Sequence, residues 1–164
     1  MKNKKVLYLT QAAMIAALYV VLTMLAAALG LDHHAIQLRF SEALTILPFF
    51  IASAIPGLYV GCLISNILTG CIIWDILFGS IATLLGALGT YFLRKKSEWL
   101  APLPPILANV LIVPLVLAYG YGAEGTIPFF MLTVGIGEVL SCGVLGMFLL
   151  KILKKYRKHI FREE

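Results

Sequence analysis

Charge is what this chain has least of. Only 13% of its 164 residues are Asp, Glu, Lys or Arg, about half the share of an ordinary soluble domain. Apolar residues make up 61%, more surface than water can solvate, so the natural solvent is a lipid bilayer. Signatures of nucleotide hydrolysis, metalloprotease and hydrolase chemistry are missing: no GxxxxGK[ST], HExxH or GxSxG occurs. No nucleophile–base pair stands out either, so the chain is not expected to be an enzyme or to carry a cofactor. Cysteine is sparse and odd in number. Cys62, Cys71 and Cys142 lie in apolar context without CxxC spacing, which suits small packing residues better than a disulfide or a metal site. His33 and His34 have no third ligand at suitable spacing and read as part of a solvated loop.

The charge that is present has a pattern. The net charge is +5, but the basic residues form three blocks, each beside a hydrophobic segment. These are Lys2, Lys4 and Lys5; Arg94, Lys95 and Lys96; and Lys151, Lys154, Lys155, Arg157, Lys158 and Arg162. Such clustering marks the cytoplasmic side of a membrane protein and contact with anionic lipid headgroups. It argues against nucleic acid as a partner. Only Arg39 stands outside the blocks. The first basic residues resemble the start of a signal peptide, but the apolar run behind them reaches Leu29 and is long enough to span, so it reads as the first helix.

Hydropathy predicts a single all-α membrane domain over residues 1–164, with helices at about 10–29, 42–55, 56–71, 74–93, 103–119 and 127–152. The stretch 42–71, broken by Pro48 and Pro56-Gly57, is the ambiguous part. Read as one span, it puts Arg94-Lys95-Lys96 on the opposite side from the other basic blocks. Two short helices restore the pattern and leave both termini in the cytoplasm, with Pro56 in a first helical turn where its missing N–H costs nothing. The expectation is a multi-pass protein of a bacterial cell membrane.

Two sets of residues are candidates for function. On the first helix, Ala12/Ala16 and Ala13/Ala17 form overlapping small-xxx-small pairs, which let another helix approach closely, within this chain or in a partner. Toward the outer half, Gln37, Arg39, Glu42, Asn66, Trp74, Asp75, Asn109, Tyr119 and Glu138 offer carboxylates, amides and aromatic faces to a small polar ligand. Glu138 lies about 16 Å along its helix, and an acid at that depth must face a protein interior or a wet cavity. Plainer roles stand beside these: Asp75 as a helix cap, Arg39 with Glu42 as a loop ion pair, Trp74 and Tyr119 as interfacial anchors, Asn66 and Asn109 as interhelical bonds.

The stretches LRFSEALTILPFFIASAIPGLYVGCLISNILTG and WDILFGSIATLLGALGTYFLRKK resemble the QueT family. The resemblance runs over about residues 8–150. Its most specific parts are Arg39 with Ser41-Glu42-Ala43, Ile55-Pro56-Gly57-Leu58, Asn66, and Asp75 with Phe78-Gly79-Ser80 and Ala82-Thr83. It implies the substrate-binding subunit, or S-component, of an energy-coupling factor (ECF) transporter for the queuosine precursor preQ1, 7-aminomethyl-7-deazaguanine. Members are six-helix proteins that bind substrate near the extracellular face. They dock on a membrane coupling subunit energised by two cytoplasmic ATPase subunits, with first-helix alanines such as Ala12, Ala13, Ala16 and Ala17 at the contact. An S-component for another vitamin or base, or a stand-alone secondary transporter, are the alternatives; the halves show no self-similarity to favour the latter.

Overall fold

The computed structural model describes residues 4–31 and 38–160, without the side chains of 157–160. Asp32, His33, His34 and Gln37 lie outside the described residues. Within them the chain is helical and has no strand. The main helices are α1 (Lys4–Ala28), α2 (Ala54–Leu68), α3 (Ile73–Leu93), α4 (Leu103–Leu115), α5 (Ile127–Glu138) and α6 (Met147–Ile160). A 3₁₀ helix, Phe40–Phe49, precedes α2. π-helical turns extend α4 through Val116–Gly120 and join α5 to α6 through Val139–Gly146.

Among the described residues, four helical segments are long and apolar enough to cross a membrane: Lys4–Ala28, Ile73–Leu93, Glu98–Gly120 and Ile127–Tyr156. The segment expected as a second spanning helix at 42–55 is instead the ten-residue 3₁₀ helix, about 20 Å long at 2.0 Å per residue. It is followed by α2 of 15 residues, about 22 Å at the α-helical rise. Neither reaches the roughly 30 Å of a hydrocarbon core alone. The 3₁₀ helix has no lipid-facing side from Ser41 to Pro48, all of which are buried. Its three-residue repeat stacks Arg39, Glu42 and Thr45 along one edge.

Close contacts rest on residues without side-chain bulk. A Cβ on Gly57 would lie 2.7 Å from the Ala12 carbonyl oxygen, and one on Gly61 would lie 3.0 Å from that of Ala16. The first-helix alanine set is thereby divided. Ala12 and Ala16 face α2 within this chain, whereas Ala13 and Ala17 are exposed. At the other pair of long helices, Pro105 and Pro104 in the first turn of α4 fill the space left by Gly86 and Gly89 of α3.

Glycine also ends two helices. Gly30 and Gly70 take φ of 71° and 74°, and the bonds Leu31 N to Ala26 O (3.0 Å) and Cys71 N to Asn66 O (3.0 Å) close Schellman turns after α1 and α2.

The described basic residues Lys4 and Lys5, Arg94 to Lys96, and Lys151, Lys154 and Lys155 share one end of the bundle. Lys154 Nζ donates to Glu98 Oε2 at 2.6 Å, and the Lys151 ammonium sits over the Trp99 ring at 5.5 Å, joining the α3–α4 connection to α6. Tyr8 and Gln11 of α1 bond the Ala52–Ser53 turn near the same end. The apolar core, with Ile15, Leu47, Ala54, Leu58, Ala87, Ala101 and Leu150, closes this half. Polar side chains collect in the other half. Because Gly57 meets backbone and not a flexible side-chain end, Gly57→Val is expected to destabilise the protein by about 1–3 kcal/mol. Thermal unfolding in detergent should show a clearly lowered midpoint; an unchanged one contradicts the close α1–α2 contact.

Candidate functional site

Four buried polar residues on two elements surround the 3₁₀ helix edge. Tyr19, one α-helical repeat beyond Ala12 and Ala16 on the inward face of α1, donates its hydroxyl to Glu42 Oε1. One turn on, Thr23 Oγ1 donates to Ser41 Oγ at 2.8 Å. Thr45 Oγ1 donates to the Glu42 carbonyl at 2.6 Å. Across the bundle, the π-helical turns after Glu138 present Ser141 and Cys142 to the same edge. Ser141 Oγ accepts from the Arg39 backbone N–H at 3.3 Å, and Cys142 Sγ lies within hydrogen-bond reach of two acceptors for its one proton, the Glu42 carbonyl at 3.4 Å and Glu138 Oε2 at 3.1 Å.

These bonds bring Glu42 and Glu138 together. A carboxylate oxygen of each, with Cys142 Sγ, lies within a 4.8 Å cluster, and the residues are only 2% and 9% exposed. Two full charges at that separation repel by about 3 kcal/mol even at an effective dielectric of about 20. Glu42 Oε2 makes no hydrogen bond of 3.5 Å or less among the described residues, an unusual state for a buried acceptor, although the Asn109 amide is near the carboxylate. It borders a chamber of about 20 Å³ lined by Arg39, Glu42, Gly79, Thr83, Asn109, Val113, Val134 and Glu138. The trio Glu42, Glu138 and Cys142 has metal-ligand atom types, although the thiol is already engaged by Thr45, Glu42 and Glu138. Sequence spacing gave no sign of this grouping.

A larger cavity of about 400 Å³ adjoins the chamber, with Arg39 and Val113 bordering both. Its polar wall includes Thr23, Asn66, Thr69, Cys71, Asp75 and Tyr121, and it lies at the end of the bundle away from the basic blocks. The volume falls within the range of small-molecule sites. Asp75 lies in the first turn of α3, whose N-cap position is Ile72; it lines the cavity, and Asn66 Nδ2 donates to its backbone carbonyl at 3.3 Å. Gly79 makes that possible, since a Cβ there would come within 3.1 Å of Asp75 Oδ1 and 3.2 Å of Asn66 Nδ2. Tyr121 donates its hydroxyl to Asp75 Oδ2 at 3.1 Å. Partial burial, then the adjacent Asp75, holds this phenol above its ordinary pKa, so it remains a donor.

Of the expected site residues, Arg39, Glu42, Asn66, Asp75, Asn109 and Glu138 therefore meet across two adjoining cavities. Arg39 and Glu42 do not form an ion pair within 4.0 Å among the described residues; the arginine borders both cavities instead. Trp74 and Tyr119 line neither cavity. They are 54% and 79% exposed and line an apolar groove on the outside of the bundle with Phe78, Ile81, Ile112, Leu115 and Val116. Trp74 stacks on Phe78 at 6.0 Å. One position along a helix is a rotation of about 100°, enough to turn Trp74 outward beside an inward Asp75. Tyr19, Thr23, Thr83 and Tyr121 are the residues missed. The first two continue the Ala12/Ala16 stripe at positions 19 and 23, a legible signal of an inward face.

Helices that span a membrane several times and enclose a polar cavity near one end define a multi-pass membrane protein of the transport class. The chain belongs to the QueT transporter family, whose model matches residues 9–155. Among curated proteins and among solved structures, nothing matches it.

The two aromatic sets make opposite predictions for binding of preQ1, the ligand that the family resemblance implies. Tyr121→Phe, which removes the donor to Asp75, should weaken binding several-fold, whereas Trp74→Ala should leave it within about twofold in isothermal titration. The reverse order contradicts this placement of the site.

Proposed function

We propose that this chain is the substrate-binding S-component of an ECF-type transporter and captures preQ1 on the extracellular side for ATP-driven import. The observation that carries the reading is the pair of adjoining cavities in the half of the bundle away from the basic blocks. Three carboxylates, Glu42, Asp75 and Glu138, border them with Asn66, Asn109 and Arg39. A 7-aminomethyl-7-deazaguanine is rich in donors and cationic at neutral pH. Its N1–H, 2-amino and ammonium groups want carboxylates, and its O6 wants an amide or guanidinium donor. Buried acids left near one another are stabilised by such a ligand and would repel an anionic vitamin. In this reading both termini and the basic blocks face the cytoplasm, as positive-inside patterning requires. The 3₁₀ helix and α2 then count with the four long helices as a six-segment bundle.

Energising subunits belong to the same proposal. The chain has no nucleotide-binding motif, so ATP-driven import needs a coupling subunit and two ATPase subunits. Ala13 and Ala17, exposed on α1, offer a flat surface for the coupling subunit, while Ala12 and Ala16 are taken up by α2. Co-purification of ATPase subunits separates this reading from a stand-alone transporter.

Glu138→Gln keeps the shape of the side chain but removes its charge. It is expected to weaken preQ1 binding at least tenfold, about 1.4 kcal/mol, in isothermal titration. An unchanged affinity removes Glu138 from the site.

A further inference from the structure

The two cavities differ in size by a factor that assigns the ends of the ligand. The inner chamber, about 20 Å³, has room for one water-sized group. The outer cavity, about 400 Å³, has room for a fused bicyclic ring. Resting on the functional reading above, we infer that the ligand's ammonium arm enters the inner chamber between Glu42 and Glu138 while its ring edge is read in the outer cavity by Asp75 and Asn66.

Three observations converge on this orientation. Glu42 lines the chamber with its Oε2 buried and making no hydrogen bond of 3.5 Å or less among the described residues, the neutral Asn109 amide being the donor group beside it, so a primary ammonium supplies the charged donor it lacks. Glu138 is the second acceptor, within the same 4.8 Å cluster, and the positive charge offsets the repulsion between the two carboxylates. The N1–H and 2-amino edge is too broad for a chamber of this size. Asp75 stands in the larger cavity with Asn66 and Tyr121, where a ring edge fits.

The order of groups also matches. Along one side of a 7-aminomethyl-7-deazaguanine run the ammonium arm, then O6, then N1–H and the 2-amino group. Across the protein run Glu42 and Glu138, then Arg39, then Asp75 with Asn66. Arg39 borders both cavities and interacts electrostatically with Asp75 and Glu42, the position a donor to O6 must take. The inner chamber is thus a selectivity device for a primary ammonium, and a neutral substituent of similar length gains nothing from it.

The test uses the purified full-length protein and three ligands with the same ring edge: 7-aminomethyl-7-deazaguanine, 7-cyano-7-deazaguanine and 7-deazaguanine. The wild type should prefer the aminomethyl compound by at least about tenfold. Glu42→Gln and Glu138→Gln should each shrink that preference while leaving binding of the cyano compound within about threefold, which also shows that the variants are folded. Asp75→Asn should weaken all three ligands by a similar factor. Equal wild-type binding of the aminomethyl and cyano compounds overturns the inference, as does loss of the preference in Asp75→Asn with uniform weakening in Glu42→Gln. Failure of all three to bind the wild type overturns the functional reading and this inference with it.

Discussion

A carboxylate inside a membrane bundle has no water shell to return to, and every donor it needs must come from the protein or from a ligand. Glu42 shows how far this protein meets that requirement and where it stops. Tyr19 satisfies one carboxylate oxygen, and Thr45 and Cys142 satisfy the residue's own carbonyl. The second carboxylate oxygen is left to the chamber. The surrounding architecture serves this arrangement: α1 supplies Tyr19 because Ala12 and Ala16 let it lie close to α2, and the π-helical turns bring Ser141 and Cys142 onto the 3₁₀ edge.

Irregular helix is concentrated where the polar groups are. A ten-residue 3₁₀ helix is long for its kind, and π-helical turns are often found at functional sites. Here the 3₁₀ helix stacks Arg39, Glu42 and Thr45 along one edge, and the π-helical segment after Glu138 faces that edge. Toward the basic end, by contrast, α3 and α4 meet as regular helices with prolines seated on glycines. The 3₁₀ helix serves both halves, since Leu44, Ile46 and Leu47 on it belong to the apolar core.

Much of the fold was legible because membrane proteins write it in hydropathy and charge. Apolar stretches marked each helical region, and the described basic residues lie at one end of the bundle. The break at Pro48 and Pro56-Gly57 was legible as a break. Its 3₁₀ conformation was not, since a buried 3₁₀ helix and a buried α-helix need the same apolar residues. In the site, the acids and amides could be recognised from their cost in a membrane. The aromatics could not be sorted by type: Trp74 and Tyr119 face outward, Tyr19 is buried, and Tyr121 is 43% exposed with only its hydroxyl turned to Asp75. The alanine pairs illustrate the same limit, because spacing identifies a close-packing surface but not which helix covers it. Ala12 and Ala16 found their partner in Gly57 and Gly61, a second small-xxx-small pair within this chain.

The central claim is that the acidic cavities are a capture site for one cationic deazapurine. Native mass spectrometry of the detergent-solubilised protein with 7-aminomethyl-7-deazaguanine tests it most directly. The account predicts a single added ligand mass per chain that survives gentle desolvation and is lost when Glu42 and Glu138 are both replaced by Gln. A wild-type chain that retains no ligand mass, or a double variant that retains as much as the wild type, would contradict it.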